Sequence, residues 1–357
     1  MRVPRPGRRA GVTDGMGERT RTALRGLLSV RPVPGAHRVA LRAGISVGVP
    51  LLTVLALGRP GWSVYAAFGA FTSLYGRNHV HLSRAVMQVS AGAALTCSVV
   101  VGVLVGSLEA RAWVAVPVAA AVAALGALLA ATQDWHPPGP LFLVFAFGAV
   151  ASAPRTVADV PVAATVAGLS ALFALVVGNV GSVLSRRRSR PARLAHVWTW
   201  QPVRYALAVV LAGGVATAAG IGHPYWAMVA AVAPLSAVGV TAQLVRAAHR
   251  ALGTLLGLLT SAALLAPHLS PYATVLVVAG LQIVTELLVG RNYGLALLFV
   301  TPMALLMGQL AVARPPGELL FDRGVETVIG AAVGGAIVLA EPWLRRRSPT
   351  GARTPER

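Results

Sequence analysis

Arg42, Arg84, Arg204, Arg246, Arg250, Glu286 and Glu326 stand inside, or at the ends of, long apolar runs. A charge at hydrocarbon depth costs about 2.5–3.5 kcal/mol on insertion scales, so such residues face protein or water. Arginine suits the capture of an organic anion, because its planar guanidinium holds a carboxylate through two parallel hydrogen bonds. Arg42, Arg84, Arg204 and Arg246 read in two ways: as a cationic substrate path at one mouth, or as side chains that snorkel to headgroups and set topology. Arg250 lies a turn deeper than Arg246 on the same helix face, which favours function. Glu286 and Glu326 are proton-coupling candidates, as carboxyls in apolar surroundings that can take up and return a proton. Glu286 fits a hydrogen bond between helices equally well.

Trp62 and Trp226 each follow a Pro-containing turn, at Pro60-Gly61 and Pro224-Tyr225. They read as an interfacial aromatic belt or, with Tyr225, as an aromatic wall along the path. Asp134-Trp135-His136-Pro137-Pro138 and Arg291-Asn292-Tyr293 fall in matching loops, where Arg291 and Asn292 offer a gate. No enzyme is expected. The sequence has no Lys, so no phosphate-cradling Gly-x-x-x-x-Gly-Lys loop exists, and no catalytic triad pattern stands out. Cys97 is alone, and His79-Val80-His81 has no acidic neighbour, so neither a metal nor another cofactor is expected.

The elements that must position these residues are membrane helices. Of 357 residues, 56% are hydrophobic and only 12% charged, against roughly 25% charged in a soluble domain. The pattern predicts an all-α polytopic membrane protein with about twelve spans of near-membrane length. In the first half they run Val39–Leu57, Gly61–Gly76, Ala85–Leu108, Ala112–Thr132, Pro138–Ala153 and Val160–Leu184. In the second they run Val203–Gly220, Pro224–Thr241, Ala247–Ala266, Tyr272–Val289, Tyr293–Ala313 and Asp322–Leu344.

The net charge of +20 is carried by Arg clustered beside the spans, which argues against nucleic acid as a partner. With the amino terminus inside, all but Arg59, Arg111, Arg155, Arg314 and Arg323 of the 31 basic residues fall on the cytoplasmic side. That bias places both termini in the cytoplasm.

The chain also repeats itself. Leu41-Arg42 and His81-Leu82-Ser83-Arg84-Ala85 return as Val203-Arg204 and Gln243-Leu244-Val245-Arg246-Ala247. Two parallel six-helix repeats, 38–184 and 203–344, are therefore expected, with a corridor between them. A basic cytoplasmic arm (1–37), a linker (185–202) and a basic tail (345–357) complete the division. The first repeat has Gln88 where the second has Arg250, so the halves cannot contribute equally. Glycines four residues apart, at Gly44/Gly48, Gly102/Gly106, Gly253/Gly257 and Gly330/Gly334, mark close helix crossings.

His223-Pro224-Tyr225-Trp226-Ala227-Met228, then Arg246 and His249-Arg250-Ala251-Leu252-Gly253-Thr254-Leu255-Leu256-Gly257, resemble the fusaric acid resistance family. The resemblance continues through Asp322-Arg323 and Glu326-Thr327-Val328-Ile329-Gly330-Ala331, and recurs more weakly in the first half. It implies an inner-membrane protein associated with efflux of aromatic carboxylic acids. The chain is also similar to plant aluminium-activated malate channels, whose six-span subunits form an anion pore at a twofold axis. Larger relatives carry cytoplasmic domains after each membrane half, and only Ser185–Pro202 and a short tail stand there. The leading expectation is export of small organic, aromatic carboxylate anions. A passive anion channel and a scaffold without substrate are the alternatives. The lipid bilayer and the anion are the expected partners; a homo-oligomer or an accessory protein is left open.

Overall fold

A computed structural model describes residues 27–30, 32–33, 35–76, 81–179 and 200–347, except the side chains of 81–83 and 342–347. Most of the arm and tail, linker residues 185–199, and His79 lie outside the described residues. Among those described the chain is helical, with no strand. The first half holds α1 (Ala36–Ala56), α2 (Ser63–Ala70), α3 (His81–Gly106), α4 (Arg111–Thr132), α5 (Leu141–Ala151) and α6 (Val160–Asn179). The second holds α7 (Gln201–Ala218), α8 (Tyr225–Leu235), α9 (Val240–Leu265), α10 (Pro271–Leu288), α11 (Tyr293–Ala311) and α12 (Pro316–Arg347).

Eight of these, α1, α3, α4, α6 and α9 to α12, are long and apolar enough to cross a membrane. The protein is a multi-pass membrane protein. By contrast, α5 and α8 have 11 residues each and α2 has 8. At 1.5 Å per residue, an 11-residue helix reaches about 16 Å, roughly half a hydrocarbon core. The spans expected over Gly61–Gly76 and Pro224–Thr241 are thus only partly helical.

Local chemistry sets the helix ends in matching ways. Gly58 and Gly220, both at φ 69°, follow the last turns of α1 and α7. A left-handed residue there lets the chain turn back, and glycine adopts it without strain. Asn292 caps α11, its Oδ1 accepting from Leu295 N–H at 3.0 Å. Inside α11, Pro302 cannot donate to the Leu298 carbonyl one turn earlier. Thr260 of α9 donates its hydroxyl to that carbonyl instead, at 2.7 Å.

The two halves use the same helix partners. In the first, α3 packs on α5 and α6, α2 on α6, α4 on α5, and α1 on α2 and α6. In the second, α9 packs on α11 and α12, α8 on α12, α10 on α11, and α7 on α8 and α12. Between halves the pairs exchange: α4 meets α7 and α10 meets α1, while α5 meets α8 and α11 meets α2. An isologous twofold arrangement has this exchanged pattern.

The four glycine pairs all sit where helices cross. Gly44 and Gly48 face α10, Gly102 faces Phe147 and Val150 of α5 with Gly106 beside Arg155, and Gly330 and Gly334 face α8. At the α9–α11 crossing, a Cβ on Gly253 would fall 2.7 Å from the Gly294 carbonyl oxygen, and one on Gly257 2.7 Å from that of Leu297. Backbone atoms cannot give way, so only glycine allows α9 this close to α11. That approach fixes the helix bearing Arg246 and Arg250.

Candidate functional site

At the seam between the halves, α5, α8 and α11 line a pair of cavities, one completed by α2 and the other by Phe71 and Leu74 just after it. The larger, about 120 Å³, also takes residues from α9, α10 and α12. It lies toward the face where the chain's described ends emerge. Three guanidiniums, of Arg246, Arg250 and Arg323, line it against one carboxylate, that of Glu286. The arginines are held firmly. Arg246 sits over the Tyr293 ring at 4.2 Å, and Arg250 Nη1 donates to the Tyr293 hydroxyl at 3.4 Å. Arg323 lies over the Trp226 ring at 4.8 Å and is 2% exposed. Such cation–π contacts orient a guanidinium without neutralising it.

Several buried polar atoms here have no hydrogen-bond partner among the described residues. They are Nε of Arg246, Arg250 and Arg323, Oγ1 of Thr285 and Oε1 of Gln282. Buried polar groups in proteins are almost always paired, and a buried charge without one is costly. Arg246, Arg250 and Arg323 line the same cavity, so a carboxylate placed there would meet three cations. Gln282 Nε2 donates to Glu286 Oε1 at 3.4 Å, so that carboxylate is oriented from its own helix.

The opposite wall is apolar and comes from the first half. Phe71, Phe142 and Phe145 line the cavity. Edge-to-face contacts at 5.5 Å (Phe71–Phe142), 5.5 Å (Phe68–Phe71) and 5.0 Å (Phe68–Phe145) lock these rings together. One half therefore supplies cations and the other supplies grease. This asymmetry begins at Gln88, whose amide donates to the Tyr75 carbonyl at 3.2 Å and accepts from Asn179 Nδ2 at 2.9 Å.

The second cavity, about 70 Å³, lies toward the other face. It contains Arg155, Arg314, His223, Tyr225 and Trp226, and shares Phe145, Ala304 and Met307 with the first. Those three residues form the partition between them. Arg314 Nη1 donates to His223 Nε2 at 2.7 Å, and His223 Nδ1 lies 3.2 Å from Asp322 Oδ2. The network assigns the ring proton to Nδ1, so the imidazole is neutral and donates to Asp322. Burial, then the Arg314 charge, hold its pKa below the usual imidazole range, with Asp322 opposing.

The other expected site residues fall elsewhere. Arg42 Nη1 donates to the Gly178 carbonyl at 3.0 Å, and Arg84 donates to the carbonyls of Gly76 at 3.1 Å and Gly178 at 3.3 Å. Gly178 is in the last turn of α6, where a cation favours the exposed carbonyls. Arg204 is 6% exposed and pairs with Glu341 of α12 at 2.8 Å. None of the three lines either cavity. Trp62 stays at the rim under Arg59, at 5.4 Å, whereas Trp226 is buried and Tyr225 stacks on Phe145 at 6.1 Å. Glu326 is fully buried, and its Oε1 accepts from His223 N–H at 2.8 Å. Asn292 Nδ2 donates to the carbonyls of Leu27 at 3.0 Å and Ser29 at 3.1 Å, pinning the amino-terminal segment beside Tyr293. Arg291 precedes it in the same loop, outside both cavities.

Arg323 requires a correction. Expected as a rim charge on the far face, it lies in the protein interior, between Trp226 of one cavity and the lining of the other. The reason is that α12 begins at Pro316 and not at Asp322, which carries Arg323 two turns into the helix. Pro315-Pro316 was the available signal, since proline is favoured in the first helical turn.

Residues 204–337 match the family model described as fusaric acid resistance protein-like. Every charged residue of the larger cavity falls within that stretch. The chain is 27% identical over 150 residues to "Uncharacterized membrane protein YvaC" of Bacillus subtilis (strain 168), covering 41% of this chain. The matched part spans about a quarter of that relative's length (24%). No solved structure matches the chain. With the Tyr-Trp motif, Arg246 and Arg250 all inside the matched residues, this membrane protein carries a fusaric acid resistance protein-like segment over its second half.

Proposed function

We propose that the protein is a membrane transporter that exports small organic anions, aromatic carboxylates above all, across the plasma membrane. Its termini face the cytoplasm, and substrate enters the seam from that side. The observation that carries this reading is the single cavity in which three oriented guanidiniums face a locked wall of phenylalanine rings. A carboxylate satisfies the first and an aromatic ring the second. Arg246, Arg250 and Arg323 receive the carboxylate. Glu286 in the cavity, with Glu326 deeper, couples the movement to protons. Arg42, Arg84 and Arg204 fasten helix ends. An anion gains about 2.3 kcal/mol per charge per 100 mV on leaving a negative interior, so the direction is favourable.

The partition at Phe145, Ala304 and Met307 favours a carrier or gated path over a standing pore. Flux of labelled benzoate from loaded proteoliposomes, with and without a pH gradient, tests this. Flux that responds to the gradient supports proton-coupled export, and flux indifferent to it assigns a channel. No flux of any aromatic acid leaves a membrane scaffold as the reading.

A further inference from the structure

The geometry points to a second anion-binding station in the far cavity, where Arg155 and Arg314 take a small organic monocarboxylate after it has passed the partition. The two arginines come from corresponding loops, Arg155 between α5 and α6 and Arg314 between α11 and α12, so each half contributes one. This is unlike the larger cavity, where the second half supplies every charge.

Both guanidiniums are built into place. The Arg155 backbone N–H bonds to the Gly106 carbonyl at 3.1 Å, and its guanidinium lies over the Tyr65 ring at 5.3 Å. Its Nε is buried and makes no hydrogen bond among the described residues. The Arg314 loop is clamped by Gln309, which accepts from Arg314 N–H at 2.7 Å and donates to the Arg314 carbonyl at 2.8 Å. From the other side, the Asp322–His223 pair holds the guanidinium through Nη1. Among the described residues neither arginine pairs directly with a carboxylate. Asp322 reaches Arg314 only through the neutral imidazole.

The remaining walls are apolar, with Phe68, Phe145 and Leu305 among them, so the cavity repeats the cation-plus-ring chemistry of the first. With Arg246, Arg250 and Arg323 lining the first cavity and Arg155 and Arg314 the second, a leaving anion meets positive charge on both sides of the partition. Charged sites in series let an anion leave each one without falling into a single deep well. The station rests on the proposal that the seam carries anions.

Cysteine protection tests the two ideas separately. Cys97, the sole cysteine, is replaced by alanine, and a reporter is placed in each cavity: Ser152→Cys in the far one and Ser236→Cys in the larger one. Both serines only bond back to their own helices, at 2.9 and 2.8 Å. Val312→Cys, at the exposed rim of the far cavity, serves if position 152 does not react. Reporter modification by a small thiol reagent is timed with and without benzoate, and with benzyl alcohol as the uncharged control.

Benzoate, but not benzyl alcohol, is expected to slow labelling in both cavities. At the far reporter the protection should fall about tenfold when Arg155→Gln and Arg314→Gln are combined, the cost of losing charge-assisted bonds. At position 236 it should persist in the same double variant. Protection at 236 without protection at the far reporter overturns the second station and leaves the transport proposal standing. Far-side protection unchanged by the double variant overturns the assignment to these arginines. No protection at either reporter overturns the anion path itself, and the second station with it.

Discussion

Arg250 and Gln88 stand at corresponding turns of α9 and α3, yet only Arg250 reaches the seam. The Gln88 amide is spent on Tyr75 and Asn179, at 3.2 and 2.9 Å. The Arg250 Nη1 bonds Tyr293 at 3.4 Å while its Nε stays unpaired in the cavity wall. Arg250→Gln gives the second half the first half's residue and removes one of three cations. Benzoate flux in proteoliposomes should fall about 10- to 100-fold, mainly through a raised KM, the range for losing a charge-assisted hydrogen bond. Unchanged flux would remove Arg250 from the path.

Glu286→Gln keeps the shape and the Gln282 contact of the native side chain but cannot carry charge. Export should continue down the membrane potential and lose its response to an imposed pH gradient. A response that persists in this variant and disappears in Glu326→Gln would move proton coupling to Glu326.

Arg204 separates fastening from transport. It pairs with Glu341 at 2.8 Å and lines neither of the two cavities described. Arg204→Ala breaks a largely buried ion pair, and removing one member of such a pair costs up to about 3–5 kcal/mol. The melting temperature in detergent should drop sharply, while folded protein keeps its KM for benzoate. A raised KM with unchanged Tm would place Arg204 on the path.

The His223 clamp predicts a pH effect with a definite sign. Its folded-state pKa is depressed by burial and by Arg314, so the folded protein binds fewer protons there than the unfolded chain. The stabilisation is complete above the ordinary imidazole value of about 6.5 and is lost as pH falls from there through the depressed folded value. Acidifying from about pH 7 to 5 should lower Tm, and His223→Gln should flatten that slope. An identical slope in the variant would show that the clamp does not titrate in this window.

Gly257→Val places a side chain against the Leu297 carbonyl and Thr301. Overpacking of this kind costs about 1–3 kcal/mol. Thermal stability should fall and Arg250 should shift away from Tyr293, so flux is lost together with Tm. Gly280→Ala on α10 meets open space and should change neither.

Helix positions were legible because apolar runs separated by Gly, Pro and Arg admit few other readings. The expected Val39–Leu57 and Ala112–Thr132 differ from α1 and α4 by only a few residues. The shortness of α2 and α8 was less visible. Phe71–Leu74 continues α2 only as a 3-10 turn and Ser236–Gly239 leaves the helix, although both are as apolar or small as helix, and a glycine at positive φ, Gly76 or Gly239, ends each. Arg246, Arg250 and Glu286 could be singled out since charge inside an apolar run is conspicuous. Their gathering with Tyr293, Arg323 and three phenylalanines depends on how α2, α5, α8 and α11 meet, which no local pattern records. Arg42 and Arg84 look like Arg204 and Arg246 in sequence, and only the position of the α6 terminus tells that they serve Gly178.

The missing rung at Pro302 has a mechanical outcome. Ala304 and Met307 follow it on α11, so two of the three partition residues lie just past the point where this rod has surrendered an internal bond. Thr260 holds the stranded Leu298 carbonyl from a neighbouring rod, and that hydroxyl can follow the oxygen through a small swing. On the transport proposal, opening the partition would ask for flexure at this prepared joint, with the ladder on either side left intact.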